Sequence, residues 1–235
     1  MKVYVNCEGV RRGRFELNAT GQFGTGTHMI SGRIGSGKST LALAIAGEMP
    51  EKGVMIHKEG IESVLLSFQF PEYHVTRSSV SDEIASWGLD ENEVIRTVGL
   101  IEKSRLDPLR LSRGELKRLE VGCILERDPD LLILDEPFAS LDCMWKQWLC
   151  ERLNRRRKRN RGVTLIFSHE RMQLPEADEI WKMETGSLTG LGRVPVAISK
   201  WESAPDYIIH ALRAGAEPEN ITMKAAEEAL CRMQG

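Results

Sequence analysis

Nine consecutive residues, Gly32-Arg33-Ile34-Gly35-Ser36-Gly37-Lys38-Ser39-Thr40, carry the strongest chemical signal in the chain. The pattern G-x-x-x-x-G-K-[S/T] is that of a loop wrapping a phosphate. Its glycines let successive backbone N–H groups point inward, where an anion sits. A helix is expected to follow over residues 38–46, adding the positive end of its dipole at the same point. Lys38 then supplies a charge to the outer phosphates of a nucleotide, and the Ser39 hydroxyl is placed to ligate Mg²⁺. A dinucleotide-binding fold is disfavoured, because neither Gly24-x-Gly26 nor Gly35-x-Gly37 is completed by x-x-Gly.

The second chemical signal is Asp135-Glu136, which closes the apolar run Leu131–Leu134. Such a run reads as a strand covered on both faces, and its carboxyl end is where ligands sit in an open α/β sheet. Asp135 is expected to hold Mg²⁺ through its water shell. Glu136, pointing the other way, is expected to orient or deprotonate a water.

The elements that must position these groups alternate short apolar runs with amphipathic ones, the texture of an α/β protein. Strands are expected over 61–68, 131–134 and 163–167, and Met29-Ile30 leads into the glycine loop. A small helical insert is expected from about 79, with Ser79 and Asp90 as N-caps and Asp82 and Glu93 three residues on. Another helix starts at Ser112, with Glu115 at the capping-box position, and would bury Leu116, Leu119, Cys123 and Ile124. Trp145, Trp148, Leu149 and Leu153 repeat at helical spacing. After about 190 the chain reads as a tail with short helices around 206–214 and 223–232.

Composition narrows the functional classes. The 235 residues hold 32 basic and 34 acidic side chains, a net charge of −2, so no global basic field points to nucleic acid. No apolar run approaches the ~18 residues of a membrane span, so membrane association is expected to come through a partner and the chain to be cytoplasmic. Five cysteines without a C-x-x-C read as reduced thiols, with Cys143 and Cys150 packing on one helix face. The basic run 155–161 reads as a solvated helix end, where cations suit the dipole.

In this order the motifs resemble those of the ATP-binding cassette (ABC) ATPases. Four further segments extend the resemblance: Gln69 matches the glutamine loop, Leu111-Ser112-Arg113-Gly114-Glu115 the signature motif, Ser140-Leu141-Asp142 the D-loop, and Ser168-His169 the switch histidine. The resemblance implies a P-loop, ABC-type nucleotide-binding domain over 1–190 with a mixed sheet core, a helical subdomain at about 72–125, and a short helical tail over 191–235. It implies ATP hydrolysis with Mg²⁺. Lys38, Glu136, His169 and Gln69 would be catalytic, and Ser39, Gln69 and Asp135 would hold the metal. Residues 32–40 would bind the phosphates. Ser112, Gly114 and Asp142 would reach a nucleotide across a two-chain sandwich, so the partner is a second ATPase subunit in a homodimer or heterodimer. An aromatic residue near the N-terminus would stack on adenine, with Tyr4 or Phe15 in that place. Arg113 departs from the usual glycine, and tolerance is the expectation.

The segment Phe68-Gln69-Phe70-Pro71-Glu72 resembles the energy-coupling factor branch, importers of vitamins and transition metals that act with integral membrane subunits at the inner face of the cell membrane. The interval of 31 positions from Lys38 to Gln69 is short for the family, so its antiparallel β part is expected to be trimmed. A soluble ABC ATPase acting on nucleic acid or a protein assembly is the alternative. Against it, Gln69 to Ser112 spans only 43 positions, too few for the long coiled coil of the DNA-repair and chromosome members.

Overall fold

The computed structural model describes residues 1–233. Its nine strands form one sheet, and four of its helices set the geometry of the site. The strands are β1 (Lys2–Arg12), β2 (Phe15–Gly24), β3 (Gly26–Ser31), β4 (Val54–Glu59), β5 (Val64–Ser67), β6 (Leu131–Asp135), β7 (Val163–Ser168), β8 (Glu179–Glu184) and β9 (Ser187–Arg193). They lie in the order β4-β1-β2-β9-β8-β3-β7-β6-β5. β1 pairs antiparallel with both β2 and β4. β3, β5, β6 and β7 run parallel, with Ser31 opposite Ser168, Asp135 opposite Phe167 and Ser67 opposite Leu134. Their carboxyl ends therefore meet at one edge, the place where an open parallel sheet receives ligands.

The parallel strands are apolar on both sides because both faces are covered. Leu131, Ile133, Leu165 and Phe167 pack with Leu41 and Ile45 of α1 (Lys38–Ala46). Leu132, Leu134 and Ile166 pack on the other face with Val121 and Ile124 of α4 (Arg113–Arg127), and with Leu149 and Leu153 of α5 (Cys143–Lys158). Full burial of each such side chain contributes roughly 1.5–3 kcal/mol. α1 matches the expected span and stops at Gly47, whose φ of 96° suits a glycine.

The helical insert has its own core. α2 (Val80–Ser86) and α3 (Glu91–Thr97) are capped by Ser79 and Asp90, and Val80, Ile84, Val94 and Ile95 meet Leu116, Leu119 and Cys123 of α4. After β9, α6 (Asp206–Arg213) and α7 (Met223–Arg232) place Ile208, Ala211, Ala226 and Ala229 against the same core as β6. The expected boundary near 190 falls inside β9.

Several expectations need correction. The strand expected over 61–68 begins only at Val64, because the N–H groups of Glu62 and Ser63 bond the Asp130 carboxylate instead of a neighbouring strand. The short interval after Lys38 holds one antiparallel strand, β4, which completes a three-stranded layer with β1 and β2. Cys143 does not pack; it is exposed at the start of α5. The basic run is only partly solvated. Arg156 is buried against Asp128, the Pro129 carbonyl and Thr164, and Arg157 pairs with Glu176 and Asp178.

Candidate functional site

The glycine loop leaves β3 and enters α1 with no side chain capping the helix. Gly37 turns at φ 105°, and a Cβ there would lie 2.4 Å from the Phe15 ring. Only glycine serves at that point. Lys38 is buried, and its ammonium donates to the carbonyls of Gly32 (2.9 Å) and Arg33 (3.2 Å) while standing 3.2 Å from Glu136.

Glu136 is a hub. Its carboxylate is 2.7 Å from His169 Nδ1 and accepts bonds at 3.2 Å from the Ser168 hydroxyl and the His169 backbone N–H. The residue takes φ 49°, an unfavourable region for a glutamate, and the parallel strands hold it there. β6 and β7 thus deliver the carboxylate and the imidazole to one point from adjacent strand ends. A carboxylate between a lysine and a histidine can accept a proton from water and pass it on.

Asp135 faces the other way. Burial pushes its carboxyl up, and neighbouring Glu136 adds to that; the Ser39 hydroxyl and the charges of Lys117 and Lys38 pull it down. Its Oδ1 is buried without a hydrogen-bond partner. A deeply placed oxygen with an open lone pair, beside a serine hydroxyl, is the hard donor set that suits Mg²⁺. Among the described residues no cluster of three or more His, Cys, Asp or Glu side chains could hold a metal alone.

A cleft of about 400 Å³ brings together Gly35, Gly37, Lys38, Ser39, Thr40, Gln69, Glu136 and His169. Phe15 and Arg12 also line it. Tyr4 does not. It sits in β1, its hydroxyl donating to Glu59 at 3.1 Å and its ring 5.7 Å from that of His57, so the structure brings Phe15 and not Tyr4 to the loop. Arg12 had no motif to announce it; only the tight β1–β2 turn carries it to the cleft.

Gly32, Arg33, Ile34 and Ser36 line a larger adjoining groove of about 820 Å³ with Trp201, and Phe15, Ile34, Gly35 and His169 line both spaces. Ser112, Gly114 and Asp142 line neither. They gather elsewhere: a Cβ on Gly114 would lie 2.6 Å from the Ser140 carbonyl, so the first turn of α4 packs on the loop that leads into α5. Asp142 caps α5 through the Trp145 N–H, at 3.0 Å. Arg113 leans away from this junction, its guanidinium 5.5 Å from the Phe70 ring centre and 3.7 Å from Glu72.

With this geometry in place, the comparisons with known proteins are specific. The family model described as ABC transporter matches residues 20–139. The energy-coupling factor transporter ATP-binding protein EcfA1 of Thermotoga maritima is 30% identical over 213 residues, 82% of each chain. A putative ABC transporter ATP-binding protein of Pyrococcus abyssi is 33% identical over 74% of this chain and 75% of its own length. Among solved structures, an ATP-binding subunit of an ABC transporter superposes with a TM-score of 0.69 at 19% identity, covering 85% of this chain and 92% of its own. A dimeric ATP-binding cassette in a post-hydrolysis state, bound to ADP and Pi, gives 0.67 at 14% identity, covering 80% and 98%.

Proposed function

Because the chain belongs to the ABC transporter family and is an ATP-binding, ATP-hydrolysing subunit, we propose that it powers an importer of the energy-coupling factor type, moving a vitamin or metal ion through separate membrane subunits. The observation that carries the catalytic part is the meeting of Lys38, Glu136 and His169 at one sheet edge, beside the unpartnered Oδ1 of Asp135.

In this reading Phe15 lies against the adenine and the loop amides of 32–40 hold the phosphates. Lys38 exchanges a carbonyl for an outer phosphate oxygen. Glu136 orients the attacking water and takes its proton, with His169 beside it at the γ-phosphate. Ser39, Asp135 and Gln69 would hold Mg²⁺, which when bound would supply positive charge to the outer phosphates. In a two-chain sandwich, Ser112 and Gly114 of a second ATPase subunit would reach the nucleotide from the groove beside the loop, a reading supported by the dimeric state of the solved cassette bound to ADP and Pi. A domain over 1–190 with a helical subdomain, followed by a tail, is the division we retain as a proposal.

The transport part rests on the relatives named above and on the segment after Gln69. Phe70 and Tyr73 are exposed there, an apolar surface on a chain with no helix long and apolar enough to cross a membrane among its described residues. A docked membrane subunit would hold the chain at the inner face of the cell membrane. The test is co-purification from detergent-solubilised membranes. Tyr73→Asp should keep ATP hydrolysis and lose the membrane subunits. Equal recovery would move the contact elsewhere, and no membrane protein recovered with the unmutated chain would favour a soluble ATPase.

A further inference from the structure

We propose that Lys117 is a positioning residue for ATP hydrolysis: from α4 it holds the backbone that carries Gln69 into the cleft. The placement of Gln69 then follows the helix whose first turn carries Ser112. This rests on the reading above that Gln69 acts at the nucleotide.

Lys117 is 1% exposed, yet all three donors of its ammonium are used. They go to the Ser67 hydroxyl (3.0 Å), the Phe68 carbonyl (2.5 Å) and Glu120 (3.0 Å). Ser67 ends β5. The Phe68 carbonyl belongs to the peptide unit immediately before Gln69, so the ammonium sets the plane from which that residue departs. Glu120 is the counter-charge that burial of a lysine demands, and it too is 1% exposed. Its other oxygen stands 3.0 Å from His74 Nε2, at the end of the turn Pro71–His74.

One helix therefore fixes the segment just before Gln69, through Lys117 at residues 67 and 68, while Glu120 approaches His74 beyond it without a hydrogen bond. Lys117 lies five residues beyond Ser112, about 7.5 Å along a rigid helix. A shift at the first turn of α4 reaches the Phe68–Gln69 peptide through a single side chain, without crossing a flexible loop. A lysine that only tied helix to sheet would need buried acceptors. It would not need to spend its shortest bond on the carbonyl next to the one glutamine that lines the cleft.

The experiment uses the full chain and separates positioning from stability. Lys117→Met leaves Glu120 buried and alone, so it is paired with Lys117→Met/Glu120→Met, an exchange of a buried ion pair for apolar side chains of like size, which proteins tolerate. Cooperative melting is checked first. The expected result is a split: affinity for a fluorescent ATP analogue changes by less than about threefold, while kcat falls about tenfold, or ~1.4 kcal/mol of barrier. Lys117→Arg should recover most of the rate. Adding Gln69→Ala to the double variant should cost nothing beyond Gln69→Ala alone, because both changes remove one function. An unchanged kcat in the folded variant, or losses that multiply, would overturn the proposal. If Gln69→Ala alone kept full activity, the role given to Gln69 would fall and Lys117 with it. If Gln69→Ala lost activity and the Lys117 variants did not, only the Lys117 proposal would fall.

Discussion

α1 and α4 each begin at a proposed nucleotide contact, and their first turns are finished in opposite ways. No side chain caps α1: its N-cap is Gly37, and no acidic residue stands in its first turn. α4 carries a complete capping box, with the Ser112 hydroxyl accepting from the Glu115 N–H and the Glu115 carboxylate accepting from the Ser112 N–H. With glycine at its N-cap, the end of α1 forgoes only a few tenths of a kcal/mol of local stability. α1 is held instead by burial of Leu41, Ala42 and Ile45. The difference shows how one fold makes two anion contacts. The end proposed to receive phosphate within its own chain leaves its donors free for the ligand. The end that sits outside its own cleft is stabilised by its own side chains, and on the proposed reading it meets a ligand presented by a second subunit.

The largest expected effect breaks the first of these ends. Lys38→Ala removes a charge-assisted contact to the outer phosphates. Affinity for a fluorescent ATP analogue should fall by about 100-fold, or ~2.7 kcal/mol, and phosphate release should cease. Unchanged affinity would mean that the uncapped end of α1 is not the phosphate site.

That end was almost wholly readable from sequence, because its chemistry is contiguous: nine residues state the loop, the lysine and the helix start. Asp135-Glu136 was readable for a related reason, since it closes an apolar strand; His169 came only through the resemblance to the switch histidine, and the parallel register carries all of them to one edge. What escaped is what depends on packing between distant segments. β9 contains Gly190 and Gly192, and glycine within a strand weakens its sequence pattern. A Cβ at Gly190 would lie 3.1 Å from the Trp181 ring, so the glycine is there to seat an indole across the β8–β9 pair. β1 alternates over Val3, Val5 and Cys7, then its register shifts before Val10, which breaks the period that would have announced it. Phe15 could not be chosen over Tyr4 because both are single aromatics in strands. Only the β1–β2 hairpin brings one of them to Gly37.

The second effect is smaller and probes the self-capped end. The Lys103 ammonium beside Glu115 is the main cause that holds its carboxyl down from 4.5 to about 2; burial opposes, and the Ser112 bonds assist. Since the folded value is depressed, the stabilisation is fully present above about pH 4.5 and lost as pH falls toward about 2. Glu115→Gln keeps the capping-box geometry but loses the charge beside Lys103 and at the helix start, and should therefore lower stability by about 0.5–1 kcal/mol at neutral pH. Urea midpoints of the two proteins, measured through the acid range, should converge as pH drops through that window. A gap that held constant in acid would show that the carboxylate charge does not stabilise this helix end.

The smallest effect concerns Arg113, the side chain standing where the signature pattern of α4 usually has glycine. If its guanidinium reached toward nucleotide, the self-capped end would carry its own phosphate contact and the contrast with α1 would weaken. Its position argues otherwise. The side chain is 58% exposed, and it is drawn toward Phe70 and Glu72 rather than over Ser112. An exposed cation–π contact contributes about 0.5–1 kcal/mol, and a surface ion pair no more. The close backbone approach is left to Gly114, where a Cβ would meet the Ser140 carbonyl. Arg113→Gly should thus change hydrolysis by less than about tenfold, or ~1.4 kcal/mol of barrier, and thermal stability only slightly. Steady-state ATPase rates of the two proteins at saturating ATP decide it. A larger loss would make the arginine a working contact to the nucleotide, and α4 would then carry at its start a cationic contact of the kind that Lys38 offers on α1.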